Sequence, residues 1–259
     1  MTLPIASPAD IVQRLEAARR ARAAERVLVA FDADGTLWSG DVGEDSFAAL
    51  LASGEVRDAA HAALAEEAAR FAPDATGDAR ALLARLALAH EAGAMPEDRA
   101  YALMAWAFAG WSVAEVRARA AALVERLDLR ARRQAETAPV IEWARAQGVP
   151  LWVVSASPRA MVEAGLASLG MGDARVIAMT PRQAGDVLLP DVERPIPYAD
   201  GKAAALAAQA DGARVLGAFG DSTFDLAMMA VSDVPVAVRP KATLRARAGE
   251  VPTLVEIGR

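Results

Sequence analysis

Val27-Leu28-Val29-Ala30-Phe31-Asp32-Ala33-Asp34-Gly35-Thr36 is the stretch on which the reading of this chain turns. Five apolar residues run without a polar break and end on an aspartate, a pattern that suits a strand buried on both faces of a parallel sheet. Working outward, runs of similar length and character recur at 150–154, 175–179, 215–219 and 234–238. Helical patterns lie between them, notably at 139–147, 158–169 and 202–209. Another spans 8–25, with Ser7 as its expected N-cap, Pro8 in the first turn, and Ile11, Val12 and Leu15 on one face. Strand alternating with helix indicates an α/β fold with an open parallel, Rossmann-like sheet.

The alternation stops after the first strand. From residue 40 to 129 there is no strand candidate, only helical patterns broken at Gly54, Pro73, Gly93, Pro96 and Gly110. Roughly 90 helical residues exceed what one sheet crossover uses. The expected division is an α/β core from 1–39 and 130–259, with an inserted all-helical domain at 40–129.

Composition narrows the class. The 259 residues are 54% hydrophobic and 24% charged, as in a globular chain. A net charge of −6 without a basic tail argues against a nucleic-acid partner. The absence of cysteine excludes disulfides and thiolate metal sites. The segment from Met1 to Pro8 has no basic-then-apolar signal pattern. The longest apolar run, 101–111, is far short of the roughly 20 residues that span a bilayer. The expectation is a cytoplasmic protein with no membrane partner. Of 28 basic residues two are lysines, Lys202 and Lys241, so a lysine here carries more information than usual.

Ligands of open parallel sheets bind beyond the carboxyl ends of the strands. There the sequence places Asp32-Ala33-Asp34-Gly35-Thr36, then Ser155-Ala156-Ser157, then Gly220-Asp221-Ser222-Thr223-Phe224-Asp225. Lys202 opens the helix before the fourth strand, with Asp200 as its expected cap. The set is complete for phosphoryl transfer. Carboxylates gathered at one edge repel unless a hard cation lies between them, and oxygen ligands suit magnesium. Thr36, Ser155 and the amides of the loop at Ala156 are suited to hydrogen-bond phosphate oxygens, and Lys202 supplies positive charge. A carboxylate nucleophile allows an aspartyl-phosphate, and a second carboxylate two residues on is placed to protonate the leaving oxygen.

In this order and spacing, from Val27 onward, the four motifs resemble those of the haloacid dehalogenase superfamily of phosphatases. The helical insertion resembles the cap of its phosphoserine-phosphatase-like branch. The resemblance implies hydrolysis of a small phosphomonoester, with Asp32 as nucleophile, Asp34 as general acid and base, and Lys202 as the third motif. It implies magnesium held by Asp32, the Asp34 backbone carbonyl and Asp221, with Asp225 near its water shell. Two other functions fit the same residues: transfer of the phosphoryl group to an alcohol, and phosphoester binding without catalysis.

Smaller signals bear on the substrate. Phosphoserine phosphatases contact the substrate amine with a glutamate nine residues after the nucleophile, a position held here by Asp41. Asp41 reads equally as a sensor for a cation or as the cap of the helix beginning near Glu44. Trp38 with the aromatics of the insertion is suited to face an ammonium group. Tyr101, Met104, Phe108 and Trp111 recur at helical spacing, which usually marks packed core.

Overall fold

The computed structural model describes residues 3–258; Met1, Thr2 and Arg259, at the outer ends of the expected core division, lie outside the described residues. The elements run β1 (Ile5–Ala6), α1 (Pro8–Ala21) and β2 (Val27–Phe31), followed by the helices α2 (Val42–Ser53), α3 (His61–Phe71), α4 (Ala79–Glu91), α5 (Glu97–Trp106) and α6 (Val113–Arg126). Next come α7 (Ala138–Ala146), β3 (Leu151–Pro158), α8 (Arg159–Ser168), β4 (Arg175–Met179), β5 (Pro181–Ala184) and β6 (Val187–Val192). The chain ends through α9 (Asp200–Ala210), β7 (Arg214–Gly220), α10 (Leu226–Ala230), β8 (Val234–Ala237), α11 (Ala242–Arg247) and β9 (Val255–Ile257). Seven strands form one parallel sheet in the order β1-β9-β8-β7-β2-β3-β4. No helix among the described residues is long and apolar enough to cross a membrane.

The unbroken apolar character of β2 follows from burial on both sides. Successive side chains of a strand point to opposite faces. Val29 and Phe31 enter one cluster with Ile11, Leu15, Ile141 and Val162 of α1, α7 and α8. Leu28 and Ala30 enter another with Leu206, Met228 and Leu244 of α9, α10 and α11. The first helix is closed by a reciprocal cap: the Ser7 hydroxyl accepts the Asp10 N–H at 3.1 Å and Asp10 accepts the Ser7 N–H at 3.0 Å.

β2 lies between β3 and β7, with Phe31 in register with Val153 on one side and Phe219 on the other. Residues just past these three strands therefore emerge side by side, where the order of connection turns back on itself.

The hairpin of β5 and β6 was not foreseen in the sequence, because its strands are short and mostly exposed. It leaves the main sheet and joins the inserted helices instead. Gly110 N–H donates to the Leu188 carbonyl at 2.8 Å, Leu188 N–H to Trp111 at 2.9 Å, and Val113 N–H to Asp186 at 2.8 Å. Ala102 and Ala105 of α5 share an apolar cluster with Met179, Val192 and Ile196.

One expected detail is corrected. The helix carrying Lys202 is not capped by Asp200, which is already its first residue; the cap position is Ala199, with φ 48° and ψ −122°. That region is costly for a residue with a Cβ, by about 1–3 kcal/mol. Ala199→Gly should remove the strain, offset in part by the greater unfolded-state freedom of glycine. The expected net gain of about 1 kcal/mol would raise the thermal midpoint by about 2–4 °C in a scan against wild type.

Candidate active site

At the carboxyl edge of β2, β3 and β7 lies a cavity of about 310 Å³. Asp32, Asp34, Asp41, Ser155, Ala156, Lys202 and Asp221 line it, so seven candidate site positions from the sequence meet in one place.

Lys202 is the centre of the charge arrangement. Its ammonium donates to Asp32 Oδ1 at 2.5 Å and to Asp225 Oδ1 at 2.6 Å, with the lysine side chain 4% exposed. Burial alone would lower its pKa, but Asp225 and Asp32 outweigh that and hold it charged above its ordinary range. Asp32 feels the converse balance: burial pushes its carboxyl up, Lys202 pulls it back, and Asp225 and Asp221 push it further up.

Asp225 lies behind this pair. Its second oxygen accepts the N–H groups of Asp221 at 3.1 Å and Ser222 at 3.0 Å, and the Ser222 hydroxyl at 3.1 Å. The close turn depends on Gly220, where a Cβ would sit 2.3 Å from that of Asp225. Gly35 is required in the same way. Its φ is +79°, and a Cβ there would lie 2.2 Å from Asp221 Oδ2.

Asp34 occupies a different environment. Its Oδ1 accepts the Trp38 indole N–H at 2.7 Å and the Val42 N–H at 2.8 Å, and its Oδ2 accepts the Ser157 hydroxyl at 2.7 Å. Burial, reinforced by the charge of Asp41, outweighs these three donors and pushes its pKa up to about 7.

The donor set fits a hard divalent cation. Asp32, Asp221 and Asp225 each offer a carboxylate oxygen, all within 4.8 Å of one another and all buried. These three carboxylates outnumber the two ammonium groups that pair with them, Lys202 and Lys241, and such an oxygen donor set suits magnesium.

Two expected contributors lie elsewhere. Trp38 does not face a ligand: it is wholly buried, packed against Gly165, and its indole is committed to Asp34. Thr36 is also wholly buried and donates its hydroxyl to Asp32 Oδ2 at 3.3 Å, without lining the cavity itself. Asp41 lines the cavity and caps α2, accepting the Glu44 N–H at 2.9 Å. Phe108 and Trp111 are core, while Tyr101 reaches the cavity.

The sequence reading missed Ser157, Lys241, Glu44, Tyr198 and Phe224 on the wall. The rarity of lysine was a usable signal for Lys241, and the second serine of Ser155-Ala156-Ser157 for Ser157. Phe224 had one too, its place in the stretch 220–225 beyond a strand, but Tyr198 had none, because its ring meets Tyr101 and Phe224 only through the fold, at centroid distances of 5.1 and 4.7 Å.

Fold and site together define an α/β protein with carboxylates gathered at the edge of a parallel sheet. Residues 29–230 match the haloacid dehalogenase-like hydrolases, and the chain belongs to that family. No curated protein matches it. Among solved structures it is similar to a protein of unknown function from Bordetella pertussis Tohama I, with 20% identity over 90% of this chain and 99% of that one, at a TM-score of 0.68. It is similar to a substrate-bound phosphoserine phosphatase, with 15% identity over 89% and 92% of the two chains and a TM-score of 0.52. It is also similar to a cytosolic 5'-nucleotidase IIIB bound to cytidine, with 14% identity over 94% and 84% and a TM-score of 0.57. At these identities the likeness is one of fold.

Trp38→Phe tests the control of Asp34. Loss of one donor to the ionised carboxylate costs about 1.5 kcal/mol or more. The Asp34 carboxyl should then titrate clearly above 7, followed by carbon-detected NMR of the side chain. An unchanged titration would show that the indole bond does not tune the acid.

Proposed function

We propose that this chain hydrolyses a small phosphomonoester, with magnesium, through an aspartyl-phosphate on Asp32. The observation that carries the reading is the juxtaposition in one cavity of Asp32, paired to a buried ammonium, and Asp34, a carboxyl titrating near neutrality two residues on.

In the first step a carboxylate oxygen of Asp32 bonds to phosphorus while the bond from phosphorus to the ester oxygen breaks, and Asp34 gives its proton to the departing oxygen. In the second step Asp34, now ionised, takes a proton from water. The water oxygen bonds to phosphorus, and the bond to Asp32 breaks, releasing phosphate. Lys202 holds Asp32 in place and balances charge on the phosphoryl oxygens, with Ser155 and the Ala156 amide as further donors. Thr36 would help hold Asp32 through its hydroxyl. Asp32, Asp221 and the Asp34 backbone carbonyl would hold magnesium, and Asp225 would keep Lys202 and the Asp221 loop in position. The bound ion would supply charge neutralisation that lets an anionic nucleophile approach an anionic ester.

The proposed division is a catalytic core at 1–39 and 130–259 and a helical cap at 40–129. Tyr101 from α5 on the cavity wall supports a role for the insertion in covering the site. For substrate class, we infer an ester carrying an amino or trimethylammonium group. Asp41 and Glu44 supply negative charge beside the rings of Tyr101, Tyr198 and Phe224, and a cation is attracted by both.

The test is a screen of small phosphomonoesters with magnesium and with excess chelator. Activity should require the metal, and Asp32→Asn should abolish it; full activity in chelator, or turnover by Asp32→Asn at the wild-type rate, would refute the mechanism. The pH dependence has a defined sign. Protonated Asp34 is the acid, so phosphorylation by an alkyl phosphate should decline as pH rises through about 7. Phosphorylation by p-nitrophenyl phosphate, whose phenolate leaves unprotonated, should decline less.

A cation preference should appear as at least tenfold higher kcat/KM for phosphoethanolamine or phosphocholine than for glycerol phosphate, about 1.4 kcal/mol of differential binding. Asp41→Asn keeps a side chain able to cap α2 and removes the charge. It should diminish the preference; an unchanged ratio would remove Asp41 from substrate recognition.

A further inference from the structure

Both lysines of this arginine-rich chain lie on the cavity wall, and the mechanism above uses one of them. Lys241 stands between β8 and α11. Its N–H donates to the Asp221 carbonyl at 2.8 Å, and its ammonium reaches back to Asp221 Oδ2 at 3.0 Å. The partners are unequally placed: the Asp221 side chain is 5% exposed and that of Lys241 61%. The carboxylate has nowhere else to turn on the side of Gly35, which it already touches. The ammonium thus holds one of the two oxygens that Asp221 has to offer a cation.

Elsewhere the chain holds carboxylates with arginine forks. Arg239 grips Glu136 through two nitrogens at 2.5 and 3.1 Å, and Arg245 grips Glu256 at 2.5 and 2.8 Å. Such forks fix both oxygens, whereas an ammonium on a flexible stem is a compact charge that leaves readily. On Asp221 the chain has the residue that lets go.

We propose that Lys241 is a tethered stand-in for the divalent cation, neutralising Asp221 while the metal is absent and displaced into solvent when the ion binds. The inference rests on the metal site proposed above. Because the lysine side chain is already largely hydrated, its release costs little desolvation, and the metal-free protein avoids an unpaired buried carboxylate.

The test is calorimetric titration of magnesium into the metal-stripped full chain, with thermal scans in metal-free and magnesium-saturated buffer. Lys241→Gln should bind magnesium about tenfold more tightly than wild type. Its metal-free midpoint should fall, and saturating magnesium should restore it to the metal-bound wild-type value. Lys241→Arg, whose fork would retain Asp221, should bind no more tightly than wild type. Equal or weaker affinity in Lys241→Gln overturns the proposal, as does tighter binding by Lys241→Arg. A stability loss that magnesium does not repair also overturns it, since that is the mark of a permanent structural ion pair. Asp221→Asn separates the two readings. If it binds magnesium as wild type does, the metal site is wrong and the stand-in falls with it; if it loses binding while Lys241→Gln is unchanged, the metal site stands and the stand-in alone fails.

Discussion

Lys202 reaches Asp32 and Asp225 at once, with all three side chains almost wholly out of water. Taking such charges from solvent costs several kcal/mol per ion, and the mutual attraction repays it only where geometry is close and the remaining oxygens are satisfied. Much of the surrounding backbone meets that condition. α9 delivers the lysine, the turn after β7 delivers Asp225 with three donors on its far oxygen, and the centre of the sheet delivers Asp32. Removing the lysine leaves two buried carboxylates without their ammonium, and breaking a buried pair in this way typically costs about 3–5 kcal/mol. In the proposed mechanism stability and chemistry draw on the same contact, so a variant at Lys202 would disturb both.

The two aspartates of the first motif show how environment separates identical side chains. Burial pushes both carboxyls up, but against different neighbours: at Asp32 the Lys202 ammonium opposes the rise while Asp225 and Asp221 add to it, and at Asp34 the charge of Asp41 adds to the rise while neutral donors oppose it. Neither the spacing of two residues nor the residue type contains that difference. It arises because the chain turns at Gly35 and sends Trp38 back beneath Asp34.

The central sheet was legible because its strands are buried on both faces, so each leaves an unbroken apolar run; 27–31 and 175–179 coincide with β2 and β4. β1 and the hairpin are largely exposed, Ile5 being 72% exposed, and β9 is only three residues long with Glu256 between its two buried residues, so none of them leaves an unbroken apolar run. At the site, residues at strand ends were legible from position alone. Tyr198 was not, because its contacts with Tyr101 and Phe224 join segments far apart in sequence. Trp38 was misread for a related reason: an aromatic beside a catalytic motif looks like a ligand contact until the fold shows that it packs under Gly165 and holds Asp34.

The allocation of lysine has a consequence for how this protein meets amine-directed reagents. With Lys202 almost wholly buried, Lys241 is the one exposed side-chain amine in the sequence, and it sits on the rim of the cavity. Acylating agents and amine-reactive dyes, which scatter over a typical surface, would meet a single side-chain target here besides the chain's own amino terminus. Attaching the protein to a support through its lysines would place the tether at the mouth of the site. Cellular acetylation, if it reaches this chain, would act on a charge that faces Asp221.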